Sequence, residues 1–321
     1  MKTSLLYFSL AAIGLGSAFA QTQAVTKPVG YKTAEIVPGF NLLAPNLNNA
    51  VSAAGDIDDA PNDGSMVLTD DDVDFTALLT EAAPAVYLVK ILDGTAAGRI
   101  AQINSITATT LTIADDLAAV GVAVGDKYEI RKALTVLEVF GNADPAHVST
   151  GADDPAGTTL LPNADPTLAD VVWIPTFNVD GSFSEFLRVY SNGTDWKKIG
   201  QFLGAFGDQP ILPVDGLYVQ RVGTTPNPLP FISVGHVDTT GTALNILTGF
   251  NFFSRALPVG VPLGDVDTDS PPDGTVNPGS GSGLDAAGVL ARDNDPTVAD
   301  VVWNPIVNGI SGNPDYDRFY L

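Results

Sequence analysis

The chain has 321 residues, with 37 acidic side chains against 15 basic ones, two His and no Cys. These counts exclude disulfides, thiolate metal sites and a Cys nucleophile, and a net charge of -22 argues against nucleic acid, whose phosphates need a basic face. Hydrophobic residues make up 45% of the chain, as in folded proteins, and the acids are nearly all Asp, which with 32 Gly and 23 Pro points to strands and turns rather than helices.

Residues 1–20 read as a secretory signal. Lys2 gives a positive start, Leu5 to Leu15 form an apolar run too short to span a membrane comfortably, and Ala18-Phe19-Ala20 is a small-x-small cleavage site before Gln21. No later run is long and apolar enough for a transmembrane helix. The expected compartment is extracellular or periplasmic, and an exported chain without Cys must be held by its core.

Pro38-Gly-Phe-Asn-Leu-Leu43 opens a first element, A, assigned to 21–64. It runs into the acidic loop Gly55-Asp-Ile-Asp-Asp-Ala-Pro-Asn-Asp-Gly64. An insert over 65–141 follows. Its Phe75, Leu78 and Leu79 stand at i, i+3, i+4 behind a run of Asp, which predicts one short helix with acids at its positive end. Val86–Leu92, Arg99–Ile103, Thr109–Ile113 and Lys127–Arg131 read as strands, with turn chemistry at Asp93-Gly94 and Gly125-Asp126. Together they predict a small barrel-like segment or a sheet, with Leu134, Leu137 and Phe140 on a short helix leading out.

Element B, over 142–235, reads as a meander. Val171–Ile174 is a strand expected to stop before Pro175. Phe183–Tyr190 and Thr194–Ile199 follow, joined by hairpin signals at Asp180-Gly181 and Asn192-Gly193, and Leu217–Val222 adds a fourth strand.

Both elements then recur. Thr248-Gly-Phe-Asn-Phe-Phe253 repeats the start of A, within a second A assigned to 236–292. Asp165-Pro-Thr-Leu-Ala-Asp-Val-Val-Trp-Ile-Pro175 recurs as Asp295-Pro-Thr-Val-Ala-Asp-Val-Val-Trp-Asn-Pro305, identical at nine of eleven positions, in a second B over 293–321. The 130-residue offset continues without a gap and matches Phe186 with Tyr316, Arg188 with Arg318 and Tyr190 with Tyr320. A duplicated module is the expected architecture. The second B stops opposite Ser191, which reads either as the truncated end of a longer protein or as a half-sheet completed by a neighbouring chain.

The order of Pro28-Val-Gly-Tyr31, Pro38-Gly-Phe-Asn41, Gly125-Asp-Lys-Tyr-Glu-Ile-Arg131, Ala169-Asp-Val-Val-Trp173, Trp196-Lys-Lys-Ile-Gly200 and Asp215-Gly-Leu-Tyr-Val-Gln-Arg221 resembles an uncharacterised family of predicted secreted repeat proteins from Verrucomicrobia-type bacteria. The resemblance spans most of the chain after the signal. It implies export and repetition, and brings no catalytic residues.

Two sets of side chains carry candidate chemistry. Asp265, Asp267, Asp269 and Asp273, with the similar set Asp56, Asp58, Asp59 and Asp63, place oxygen ligands at alternate loop positions, as a calcium site needs. They depart from an EF-hand, with Ser270 where Gly is required and Val276 at the bidentate Glu position. Solvated turn loops are the competing reading. Trp173, Trp303, Trp196 and Tyr190 offer flat apolar faces for a sugar. Trp173 and Trp303 are expected to pack in a core, leaving Trp196 and Tyr190 as the ligand-binding candidates, with Trp196 exposed between Asp195 and Lys197. His147 and His236 lack an evident nucleophile partner, and no zinc helix, phosphate loop or nucleophile elbow is present.

The sequence therefore predicts a mainly β, secreted, non-enzymatic structural or interaction protein, a surface, matrix or adhesion component. Its modules are duplicated antiparallel sheets with few short helices, and self-association through strand edges is its expected assembly. The alternative is an extracellular carbohydrate-binding module whose loops are ordered by calcium.

Overall fold

The computed structural model describes residues 28–59, 64, 66–80, 86–113, 116–141, 160–177, 183–201, 203–212, 216–222, 228–243, 251, 299, 301–306 and 315–320. The fold is mainly β, in several antiparallel sheets. Strands β1 (Val29–Ile36), β2 (Gly39–Leu43), β3 (Leu47–Asn48), β4 (Val51–Asp56) and β5 (Val67–Thr69) lead to helix α1 (Phe75–Leu78). Next come β6 (Tyr87–Ile91), β7 (Ile100–Ile106), β8 (Thr110–Ile113), β9 (Lys127–Lys132), β10 (Leu134–Thr135) and helix α2 (Val136–Phe140). The remainder comprises β11 (Val171–Phe177), β12 (Phe183–Ser191), β13 (Trp196–Lys198), β14 (Pro210–Ile211), β15 (Leu217–Arg221), β16 (Leu229–Val237), β17 (Val301–Ile306) and β18 (Asp315–Tyr320). Among the described residues no helix is long and apolar enough to cross a membrane.

The insert forms a six-stranded sheet in the order β4-β9-β6-β7-β8-β5. Alternation explains it: Val89, Ile91, Tyr128 and Ile130 point to one face and join Phe75, Leu111 and Leu117 in a buried cluster. Asp74 caps α1, its carboxylate accepting from the Ala77 N–H. The ladder is open, so of the two expected forms the insert takes the sheet and not a closed barrel. Its end strands β4 and β5 are not paired with each other, and a single backbone bond from Asp58 N, just past β4, reaches Thr69 O at the end of β5 at 3.0 Å. Register shifts at Val51/Ala53 and Ile103/Ser105 curl the sheet without closing it. The sheet also draws β4 from the segment assigned to element A, so the acidic loop leaves from a sheet edge.

The first element B forms a five-stranded sheet ordered β13-β12-β11-β15-β2. This is a Greek key and corrects the expected meander. The fourth strand, β15, returns beside the first, β11, rather than extending past β13. Element A supplies the fifth strand, with Asn41 of β2 opposite Val219 of β15. Strand β11 also continues through Pro175, which the sequence reading excluded. Pairing with β15 ends at Trp173, so Pro175 pairs only with Phe186 of β12, and its missing N–H faces an open edge.

Val172, Ile174, Leu187, Val189, Leu217 and Val219 form the inner face of this sheet and pack against Ile36 of β1, Leu229 and Phe231 of β16, and Val136 and Phe140 of α2. Strand β16 lies between β1 and β3 in a three-stranded sheet, where Gly30 stands opposite Gly235. Helix α2 starts with a capping box between Thr135 and Glu138, and β10 pairs with β14. Strands β17 and β18 form a separate hairpin.

Candidate binding face

The chemistry-bearing side chains of the five-stranded sheet lie on its outer face. If Val172, Ile174, Leu187 and Val189 point inward, their neighbours must point out. Those neighbours are Trp173 on β11, Phe186, Arg188 and Tyr190 on β12, Tyr218 and Gln220 on β15, and Phe40 on β2. Trp173 stands directly opposite Arg188 on one side and Tyr218 on the other. The rings meet edge-on: Phe40 and Phe186 sit 5.6 and 6.0 Å from Trp173, and Tyr218 sits 5.7 Å from Phe186. The Arg188 guanidinium lies 5.3 Å above the Trp173 ring. Trp173, Phe40, Phe186, Tyr190 and Tyr218 are partly exposed, and Arg188 is exposed. The Trp173 indole N–H is buried without an acceptor among the described residues.

The segment that builds this face separates into scaffold and surface. Asp165 closes its own turn by accepting from the Thr167 N–H and hydroxyl, and these bonds hold its carboxyl below the usual range. Ala169 is fully buried. Asp170 is 1% exposed and ties two chain segments together, accepting from Leu161 N at 2.8 Å and Val222 N at 2.7 Å. Asn41 does the same for element A: its side chain bonds Val37 N, Val37 O, Gly39 O and Val219 O, which accounts for the Asn of the Gly-Phe-Asn motif. Trp173 has no such structural duty and is the motif's contribution to the surface.

The hairpin of β17 and β18 has the same register as that of β11 and β12. Val301 stands opposite Tyr320, Trp303 opposite Arg318 and Pro305 opposite Tyr316. In the first hairpin Val171 stands opposite Tyr190, Trp173 opposite Arg188 and Pro175 opposite Phe186.

The two proposed ligand-binding residues lie on opposite faces. Trp196 is 3% exposed, a correction to its expected position on the surface. Its ring packs 6.1 Å from Phe140 and its indole N–H donates to Gly141 O at 3.1 Å. Asp195 and Lys197 misled the reading because they point away from it: they pair with each other at 3.0 Å on the outer side. Tyr190 lies on the outer face opposite Lys197. Trp173, expected in the core, is the exposed-face tryptophan; the signal available was its parity with Arg188 and Tyr190 along paired strands.

The proposed calcium ligands are only partly within the described residues. Asp56 pairs with Lys127 at 3.2 Å, both well exposed. Asp58 accepts from Asp71 N at 2.6 Å, and Asp59 is exposed. Asp63, Asp265, Asp267, Asp269 and Asp273 lie outside the described residues. Among the described residues no three His, Asp or Glu side chains come together as a metal site. The acid that sequence reasoning passed over is Asp70, 2% exposed, which accepts from the Tyr128 hydroxyl at 2.6 Å. Burial and this bond raise the Tyr128 phenol well above its usual value. A Cβ on Gly55 would run into both groups, so this loop must start with glycine.

A second buried polar cluster lies behind the six-stranded sheet. Lys90 on β6 pairs with Asp238 at 2.5 Å, both almost fully buried, and Arg131 pairs with Glu129 at 2.9 Å on β9. Arg131 also donates to Asn49 O. The cavity among them offers about 20 Å³, space for a single water and too little for an organic ligand. Beside it, Gly98 at φ 88° accepts a backbone bond from Ala243 N at 2.9 Å, and any Cβ there would strike the Ala243 nitrogen. This cluster joins the insert to the chain after β16 and has the character of a structural lock.

No protein-family model, curated protein or solved structure matches this chain.

Proposed function

We propose that this chain is an exported, non-catalytic structural or interaction protein made of duplicated β modules, and that it contacts its partner through the outer face of the five-stranded sheet. The observation that carries this reading is the arrangement at Trp173: a ring cluster on a solvent-facing sheet with an exposed guanidinium above it. Apolar residues scattered singly on a surface need no explanation, whereas a contiguous aromatic patch does. Aromatic and Arg side chains are also the groups that dominate contact energies. The leader-like residues 1–20 supply the export part of the reading, and the repeated motif supplies the modular part.

The test compares the full chain with its Trp173→Ser variant, first matched for circular dichroism and melting temperature. Both are passed over immobilised glycans and over the chain itself. The full chain is expected to be retained on at least one surface, and the variant to lose that retention. Equal retention of the two proteins on every surface rejects the face as the contact site. The carbohydrate alternative is favoured by the partly exposed rings of Phe186, Tyr190 and Tyr218 beside the exposed Arg188, since a sugar needs apolar faces with polar groups at their edge.

A further inference from the structure

We propose that the Lys90–Asp238 pair is the precursor of a covalent bond: the chain joins the two side chains as an amide, expels water, and so staples its insert to the segment after β16. The inference is independent of the outer face of the five-stranded sheet.

Placement provides the first argument. Strand β6 is buried at all five positions, and Lys90 is its only charged side chain. A buried ion pair that serves only to hold favours Arg, whose planar fork is always charged and weakly hydrated. The neighbouring pair of Arg131 and Glu129 is built that way. A lysine brings instead a primary amine, which becomes a nucleophile once it has lost its proton. Lys90 Nζ lies 2.5 Å from Asp238 Oδ2, and the two side chains are 6% and 5% exposed. A nitrogen touching one carboxylate oxygen stands roughly 3–3.5 Å from the carboxyl carbon, the spacing of a near-attack arrangement. Groups held in that way react as though at an effective concentration of up to about 10⁵–10⁸ M.

The second argument is that the other parts of an acyl transfer surround the pair. Asp238 Oδ1, the oxygen not bonded by Lys90, accepts from the Thr240 N–H at 3.1 Å and from its hydroxyl at 2.9 Å. Those donors stand where an oxyanion develops as the carboxyl carbon becomes tetrahedral. Lys90 Nζ is also aimed by Thr240 O and Thr242 Oγ1, each at 3.4 Å. Glu129, 2% exposed, stands directly opposite Lys90 in the ladder of β6 and β9 and lines the same cavity. It is the carboxylate that carries protons between the two reacting groups. Burial also keeps out the bulk water that would drive the reverse reaction, hydrolysis.

The step balances without an oxidant or co-reactant. One proton passes from the Lys90 ammonium through Glu129 to Asp238 Oδ2, which leaves an amine and a carboxylic acid. The Nζ lone pair then forms the bond to the carboxyl carbon, and the C=O electrons move onto Oδ1. A second proton passes from Nζ through Glu129 to Oδ2. The C–Oδ2 bond breaks, Oδ2 leaves as water, and Oδ1 regains its double bond. The cavity beside the pair has space for that one water. The resulting staple closes a loop between residues 148 apart, in a chain with no Cys to close it by a disulfide. Until it forms, the pair is the ionic lock described above.

The test is mass spectrometry of the folded full chain and of its tryptic peptides, sampled over time after synthesis. Expected are a chain lighter by one water, a peptide containing Lys90 joined to one containing Asp238, and no tryptic cleavage after Lys90. Lys90→Arg keeps the charge and should lose the joined peptide completely. Glu129→Gln, with folding checked by melting temperature, should close about a hundredfold more slowly or less readily still. It thereby holds the ionic form against which the loss of either partner is set. A natural chain that keeps its full mass and is cut after Lys90 overturns the inference, whatever the variants do. So does a loss of water that maps to other residues or persists in Lys90→Arg. Closure as fast in Glu129→Gln as in the natural chain overturns the proton route through Glu129.

Discussion

The six-stranded and five-stranded sheets solve the same problem differently. Each buries one apolar face, the first around Tyr128 and Phe75, the second around Val172 and Val219. Their other faces diverge. Behind the six-stranded sheet, Lys90, Glu129, Arg131 and Asp238 are buried and paired, and the face is closed by the chain after β16. On the five-stranded sheet the outer face stays open, with one guanidinium resting on an indole. A buried charge needs a partner inside the molecule, whereas an exposed one can wait for a partner outside it. The paired face is therefore read as structure and the open one as contact surface.

Removing one half of the lock gives the largest expected effect. Lys90→Met leaves Asp238 buried and unpaired, and Asp238→Leu does the same to Lys90. Each should cost about 3–5 kcal/mol, whereas the double variant should lie much closer to the natural chain, because no uncompensated charge remains. Chemical denaturation of the four proteins measures the coupling. If the single variants are no less stable than the double one, the pair is not the lock described above.

The two described tryptophans sharpen the same contrast within one sheet. Trp196→Ala empties a core position and removes the bond to Gly141 O, which should cost about 3–5 kcal/mol. Trp173→Ala removes a partly exposed ring and with it a buried N–H that has no acceptor among the described residues, so its cost should be well below that of Trp196→Ala. Equal losses of melting temperature in the two variants would place Trp173 in the core after all.

Much of the strand content was legible because it is local. Tyr87–Ile91, Thr110–Ile113 and Lys127–Lys132 announce themselves by β-rich runs between turn residues, and the short helices by the spacing of Phe75 and Leu78 and of Leu137 and Phe140, although Leu134 falls on β10. Pairing across distance was not legible. Nothing near Leu217 says that β15 returns beside β11, or that β2 from another element lies against it. Strand β16, with Pro230 near its start, Ser233 at its centre and Gly235 near its end, gave too weak a signal to mark a nine-residue strand. The candidate face was half visible. Its aromatic residues were named, but the charged neighbours of Trp196 suggested exposure, when alternation along a strand puts neighbours on the opposite face. The Asp-rich run was read for its loop and helix-end charges, while Asp70 within it is a buried acceptor that only the fold reveals.

The smallest expected effect tests that acceptor. Tyr128→Phe removes one hydrogen bond to a buried carboxylate, and Asp70 retains the Asp72 N–H at 2.9 Å. The cost near neutral pH should be about 1.5–3 kcal/mol. The pH dependence is more specific. Burial, then the bond to Asp70 and the charges of Asp70, Asp58 and Asp56, hold the folded phenol above its ordinary value of 10.0. Above that pH the unfolded chain has released the proton and the folded chain still holds it, so stability falls as pH rises. Below it both states are protonated and the contribution is whole. The natural chain should therefore lose about 1.4 kcal/mol more per pH unit than Tyr128→Phe once pH exceeds 10. Melting temperatures between pH 9 and 11 measure the difference. Parallel curves for the two proteins would mean that Tyr128 ionises as readily when folded as when unfolded, and that the Asp70 contact does not hold its proton.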